Sequence, residues 1–529
     1  MQDVILKGGS VVDGTGAAAR RADVRVVGGQ IVEVAPDLAG GATLDCDGLV
    51  VAPGFIDTHS HSDLKLFDEP ALPMKISQGV TTEVLGQDGI SVAPVRKATG
   101  VADTRKQLSG LLGDPRGAAW DWETVADYLV ALERLHPAPN VAYLVPHGTL
   151  RAYVMGSEAR PPTDAELALM CRVLDESLAA GAVGLSTGLI YPPCCYAERA
   201  ELIALGEVAH RRGGPLVVHM RSESDLILDA IAEMVEVGLK SGCAIHISHW
   251  KVAGAENFMR VNEVMRQVEA AQIDGVRITC DAYPYAAGST LLGAVLPPWA
   301  HDGGPAEALK RLADPAARQK MRAELNGAWP QPWDNFWRWT GPEGIVVSDI
   351  PSGRHPELLG KTITEASALT GKDALDLTFD LLLDEELGVG MVSHSQSDAV
   401  VEQLLCRPYV NVCTDGILGG RPHPRAYGTY PKILARFVRE KQLLTLEEAV
   451  RKMTSQAAAA MNLQGVGKVA PGHAADLVVF DPETVEDRAT FAEPTQLPVG
   501  MAHVFVSGRP AAERAERVVS RGAGSVASS

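Results

Sequence analysis

Two histidines one residue apart, His59 and His61 in "PGFIDTHSHSD", follow a run of apolar residues. On an extended chain residues two apart share a face, so the two imidazoles can grip one cation. Structural histidines are common, and the pair alone is a weak signal. It gains company further along. His219 ends "PLVVHM", and His249 ends "AIHISHW" about one βα unit later. Asp415 ends "VNVCTDG", where a carboxylate after an apolar run is costly to bury unless it meets a cation or a hydrogen-bond donor. Asp88 follows "VTTEVLGQ", which contains Glu83; the plain alternative for Asp88 is a loop carboxylate shaping "QDG". His246, three residues before His249, falls on the opposite pleat and is expected to pack against a helix. Four histidines and two carboxylates at five strand ends form a set of hard and borderline ligands. Zinc suits them, with manganese or iron as alternatives.

Such residues meet only if the apolar runs are strands of one sheet. The candidate strands "LVVAPGFIDTHSH", "VTTEVLG", "VAYLVPHG", "AVGLSTG", "PLVVHM", "AIHISHW", "RITCDAYPY" and "YVNVCTDG" alternate with longer helix-like segments. That pattern predicts an α/β fold, a (β/α)8 TIM-type barrel spanning residues 54–464, with its chemistry at the C-terminal strand tips. Two further runs, "GIVVSDI" and "GVGMVSHS", disturb the count. The first is expected in an insertion, and the second could replace one of the eight barrel strands. Residues 1–53 alternate apolar and polar positions between glycine turns, and 465–529 do the same, so the two ends are expected to build one small composite β-domain. Between about 286 and 346 the alternation breaks into Trp- and Pro-rich sequence, a candidate lid.

The chain has 529 residues, 46% of them hydrophobic and 22% charged, enough for a large core. Its net charge of −18 repels nucleic acid and anionic membrane and favours a small-molecule partner. A homo-oligomer is compatible with this. The N-terminus shows no signal-peptide pattern, and no run reaches a membrane span, so a cytoplasmic location is expected. Eight unevenly spaced cysteines are expected to be thiols, with Cys194 and Cys195 a loop pair without chemistry. The Ser/Gly/Ala tail "RGAGSVASS" is the one segment expected to be disordered.

"VVAPGFIDTHSH" and the terminal "GKVAPGHAADLVVFD" resemble the opening and closing motifs of the amidohydrolase superfamily. "PHGTLR", "GLSTGLIYPP", "VVHMRSE", "ISHWK", "DAYPY" and "HPRAYGTYPKIL" resemble its N-acyl-D-amino-acid deacylases, over most of the chain. The resemblance implies a barrel hydrolase with one tight zinc site and room for a second, acting on a small-molecule N-acyl-D-amino acid. Metal would lie on Asp88, His219 and His249, with His59, His61 and Asp415 completing the set, and Asp415 would act as the general base and acid. Lys251, Tyr283, Ser289 and Arg425 would bind substrate. Tyr191 is a candidate pocket wall, and Arg151 and Arg221 are further cationic candidates. One departure stands out: the deacylases carry a metal-binding cysteine in "GNCG" where this chain has Asp88. Within the superfamily, a cyclic-amide hydrolase of the dihydroorotase or hydantoinase kind would place a carboxylated lysine at a strand tip. No lysine occupies an obvious one here. A nucleobase deaminase and a catalytically silent metal-binding barrel are the remaining alternatives.

Overall fold

The computed structural model describes residues 3–97, 100–113, 117–328 and 330–513; the tail "RGAGSVASS" lies outside them. Eight strands form one parallel sheet: β1 (Phe55–Asp57), β2 (Val80–Leu85), β3 (Asn140–Pro146), β4 (Gly184–Gly188), β5 (Leu216–His219), β6 (Ile245–Ile247), β7 (Ile278–Ala282) and β8 (Val410–Val412). Each pairs with the next, and apart from the half-buried Thr279 all are runs of buried residues, as a sheet covered on both faces requires. The barrel closes between β8 and β1. Beyond the ends of those strands, the Asp415 amide donates to the His59 carbonyl at 2.8 Å and the His61 amide to that of Gly416 at 3.2 Å. The seam of the barrel therefore runs through the predicted ligands.

Outer helices cover the sheet with apolar stripes. Helix Asp164–Ala179, for example, starts with a capping box between Thr163 and Glu166 and buries Met170 and Leu174. Inside the barrel a smaller cluster of Ile56, Val84, Leu144 and Val217 packs on Ala457, Met461 and Leu463. These plug the end opposite the ligands. Outside the barrel, a six-stranded sheet joins Ser10–Val11, Arg20–Arg21 and Val50–Pro53 to Leu477–Phe480, Met501–Val506 and Arg509–Glu513, so both ends of the chain enter one sheet. A four-stranded sheet of N-terminal residues accompanies it. No helix among the described residues is long and apolar enough to cross a membrane.

The insertion runs further than its sequence suggested. Strands Gly288–Leu291, Ile345–Asp349 and Gly390–Ser393 form an antiparallel sheet of their own, with helices between them and a separate core that includes Leu292, Leu312, Val347 and Phe379. The unit thus continues past Val346 to Ser393. "GVGMVSHS" is its central strand and replaces no barrel strand. A short buried run reads alike in parallel and antiparallel sheets, and periodicity cannot separate them.

Candidate metal centre and active site

The strand tips converge. His59 and His61 follow β1, Asp88 sits in the turn Gln87–Gly89 after β2, His219 ends β5, His249 follows β6 and Asp415 follows β8. All six side chains are buried. Asp88 is central. Its Oδ2 lies 3.5 Å from His59 Nε2 and 3.6 Å from His61 Nε2, and its Oδ1 lies 3.4 Å from His249 Nε2 and 3.8 Å from His219 Nδ1. One oxygen faces each pair of imidazoles, the arrangement of a bridging carboxylate. Asp415 Oδ1 approaches His61 Nε2 at 3.3 Å and His59 Nε2 at 3.7 Å.

Most of these separations are too long for good hydrogen bonds. Both ring nitrogens of His59, both of His219, Nδ1 of His61 and Oδ1 of Asp88 are buried without a hydrogen bond. Leaving so many polar atoms unsatisfied is expensive, and a divalent cation among them would satisfy them together. Ligand atoms of His59, Asp88 and His249, of His59, His61 and Asp415, and of His219, Glu223 and His249 lie within 4.8 Å of one another in each group. The nitrogen and oxygen donors fit a divalent metal.

Electrostatics agree. Burial pushes the Asp88 carboxyl up, but His59, His249 and His219 outweigh it and hold it well below the usual range. Asp415 is likewise held down, against burial, by Arg425, His59 and His61. Burial depresses His61 and His249, yet the facing carboxylates raise them to about 9 and about 10. A metal binding at these two imidazoles would have to displace the proton that the carboxylates favour there.

The backbone is bent to bring these groups together. Asp88, His249 and Asp415 take φ of 56°, 36° and 48°, left-handed values that cost roughly 1–3 kcal/mol each for such residues and cluster at functional sites. Close packing enforces the Asp88 turn. A Cβ on Gly86 would lie 2.1 Å from the Leu144 carbonyl, and one on Gly188 would lie 2.3 Å from that of Asp88. Cys194 packs behind the same turn, where a Cβ on Gly89 would meet its sulfur at 2.7 Å.

Three residues with no assigned role in the sequence reading support the ligands. Glu223, four residues after His219, places Oε1 at 3.0 Å from His249 Nδ1 and 2.7 Å from Lys251 Nζ, with Oε2 at 3.5 Å from His219 Nε2. The spacing in "HMRSE" was the available signal. Asp281 on β7 accepts from Thr58 Oγ1 at 2.7 Å and from the His249 amide, and it pairs with His246 Nε2 at 3.0 Å. His246 therefore points into the barrel beside Thr279 and Asp281 rather than against a helix: on β6 the outward positions are Ile245 and Ile247, which belong to the outer core. Lys75, on the short helix Pro73–Ile76, reaches Asp57 and Glu83 beneath the site at 2.6 and 2.8 Å.

Of the predicted substrate residues, Arg425 is the most available. Its Nη2 lies 3.0 Å from Asp415 Oδ2 and donates to the Ser289 carbonyl at 3.1 Å, while its Nε and Nη1 make no hydrogen bond. The guanidinium lies 4.4 Å over the Tyr283 ring, and the Tyr283 hydroxyl accepts from Gln396. Lys251 reaches the site, but Glu223 already holds its charge, and its Nζ lies 2.7 Å from His249 Nδ1. Ser289 donates its hydroxyl to the Met391 carbonyl within the insertion. Tyr191 is a wall: its hydroxyl pairs with Thr290 at 2.7 Å, and its ring meets His219 edge-on at 5.1 Å. Arg151 and Arg221 do not join this cluster; they are consumed by Glu201 and Glu233. Phe336 and Trp339 from the insertion also line the space over the ligands, whose free volume is only ≈ 30 Å³.

Residues 42–512 match the amidohydrolase family. The chain is 36% identical to the D-aminoacylase of Alcaligenes xylosoxydans xylosoxydans over 96% of its own length and 94% of that protein's. It is also 36% identical to the N-acyl-D-glutamate deacylase of the same organism, over 98% and 97%. The crystal structure of the N-acyl-D-glutamate deacylase from Bordetella bronchiseptica, complexed with zinc and a phosphonate mimic of the tetrahedral intermediate, superposes with a TM-score of 0.85 at 34% identity, covering both chains in full.

Proposed function

Because the chain belongs to the amidohydrolase family, we propose that its barrel mouth hydrolyses the amide bond of N-acyl-D-amino acids, releasing a carboxylate and the free D-amino acid. The observation that carries this reading is Asp415, poised 3.3 Å from His61 and 3.0 Å from Arg425, whose remaining donors are unused. A general base and an anion receptor thus stand side by side beside a metal cradle.

When bound, a divalent cation, zinc in the first instance, polarises the acyl carbonyl and lowers the pKa of water. Asp88, His219 and His249 would hold the tight site, and His59 and His61, sharing Asp88, a second. Asp415, kept ionised by Arg425 and the imidazoles, takes the proton of the attacking water and returns it to the departing amine nitrogen. Arg425, whose Nε and Nη1 carry no hydrogen bond, offers a cation and unspent N–H donors to the substrate carboxylate. Tyr283 presents its hydroxyl towards the developing oxyanion. Lys251, its charge held by Glu223, lends a further N–H donor to the substrate, and Ser289 fixes Arg425 through its carbonyl.

The test is release of free amino acid from a panel of N-acetyl-D and N-acetyl-L substrates by the metal-analysed enzyme. Turnover confined to the D series is expected; turnover confined to L substrates or cyclic amides would overturn the proposal. Asp415→Asn keeps the shape and loses the base, and should lower kcat by at least ~100-fold at unchanged metal content.

A further inference from the structure

Resting on the deacylase reading, we infer that this site takes N-acyl-D-amino acids with neutral, apolar substituents and discriminates against D-glutamate and D-aspartate derivatives. Identity does not choose between these classes, since the D-aminoacylase and the D-glutamate deacylase stand equally at 36%. The walls do.

The ≈ 30 Å³ directly over the predicted ligands is far below the roughly 300–1,000 Å³ of a small-molecule pocket. The acyl chain and the side chain must both pass beyond it. Two of its walls are shared with neighbouring cavities: Phe336 with one of ≈ 520 Å³ and Tyr191 with one of ≈ 70 Å³. Those two cavities share an apolar wall of Ile190, Ala294, Leu296 and Pro298, which flanks the site.

A substrate side-chain carboxylate entering this region would need an unspent cation. Among the described residues, Arg221 is the one cation lining the larger cavity. Its guanidinium already donates to both oxygens of Glu233, at 3.0 and 3.1 Å, and to the carbonyls of Cys195 and Ala197. Two carboxylates, Glu324 and Asp334, line the same cavity. Among the described residues, no lysine or arginine lines the smaller cavity. Its His301 pairs with the Gly293 carbonyl, and burial lowers its affinity for a proton. At the ligands, Arg425 faces the substrate's own α-carboxylate, and Lys251 is held by Glu223 at 2.7 Å. A second carboxylate would shed its hydration and find no partner, whereas an aliphatic or aromatic group gains by leaving water.

The experiment compares kcat/KM of the metal-loaded enzyme for N-acetyl-D-methionine, -D-leucine and -D-phenylalanine with that for N-acetyl-D-glutamate and -D-aspartate. The best apolar substrate should exceed both acids by at least about tenfold; a smaller or reversed ratio overturns the inference. Leu296→Arg places a cation in the shared wall. It should raise turnover of N-acetyl-D-glutamate if the region holds the side chain, or of N-succinyl-D-leucine if it holds the acyl chain. A folded variant that gains neither overturns the assignment of the cavity, and a variant that fails to fold leaves the comparison on the unmodified enzyme decisive. If no D-substrate is hydrolysed while L or cyclic amides are, the deacylase reading itself fails and this inference with it.

Discussion

On the proposed reading, Asp88 is the residue on which the metal chemistry turns. Each of its oxygens faces two imidazoles, and it is a carboxylate at the position where the sequence resemblance implies a thiolate. Oxygen is the harder ligand, so selectivity for zinc over manganese should be lower here than with sulfur. Asp88→Ala should weaken metal binding by more than the roughly 10–100-fold that loss of an outer-sphere partner costs. Asp88→Cys should retain metal and shift preference towards zinc. Equilibrium dialysis with metal analysis reads both, and unchanged stoichiometry and affinity in the pair would remove Asp88 from the ligand set. The six proposed ligands stood out in the sequence because each histidine or carboxylate follows an apolar run that ends at the same face of the barrel. Glu223 was hidden because it lies on the loop beyond β5, where no periodicity fixes direction. His246 was misjudged because the three-residue offset from His249 assumes extended backbone, and His249 leaves it with a φ of 36°.

Among the elements, the closure of β8 against β1 matters most, since it sets the distance from Asp415 to His61. A buried network under the ligands ties that seam. Lys75 Nζ lies 2.6 Å from Asp57 on β1 and 2.8 Å from Glu83 on β2, and it donates to Thr414 beyond β8 and to Ser60. The Thr414 amide in turn donates to Asp57. Burial depresses the Lys75 ammonium, but the two carboxylates outweigh that and keep it charged. Lys75→Met would leave Asp57 and Glu83 buried beside each other without a cation, a loss of about 3–5 kcal/mol. A drop of that size in chemical-denaturation stability is expected, and an unchanged midpoint would show that the seam does not depend on this ion network. All eight barrel strands could be read from their apolar runs, whereas Lys75 could not: it enters from a four-residue helix, far from any strand tip. The insertion's extent was obscured for a related reason. Gly390–Ser393 looks like a barrel strand until its antiparallel partners, about 45 and 100 residues upstream, are known.

At the scale of the whole molecule the two ends of the barrel divide the labour. The C-terminal mouth carries the ligands, and the opposite end carries the joint to the sheet built from both chain termini, where stability rather than chemistry is at stake. The turn-rich, alternating ends of the sequence announced such a sheet, but nothing in their pattern reveals which polar residue fastens it to the barrel. Asp476 does so. It accepts from Asn140 at the start of β3 at 2.8 Å and from the Ser507 amide in the terminal sheet at 2.7 Å, and its carbonyl accepts from the Gly54 amide. Burial pushes its carboxyl up to about 6, against the pull of those two donors. A folded value above the unfolded one, near 3.8, means that the native state retains a proton that the unfolded chain has released. The stabilisation is fully present below about pH 4 and is lost as pH rises through about 6. Asp476→Asn cannot ionise, so its stability relative to the unmodified protein should improve from pH 4 to pH 7, by an amount of order 2 kcal/mol. Turnover at the distant mouth should be unaffected. Denaturation midpoints of the two proteins across that range decide the matter: parallel profiles would show that the joint carries its charge throughout and that Asp476 does not set the pH dependence of this end of the barrel.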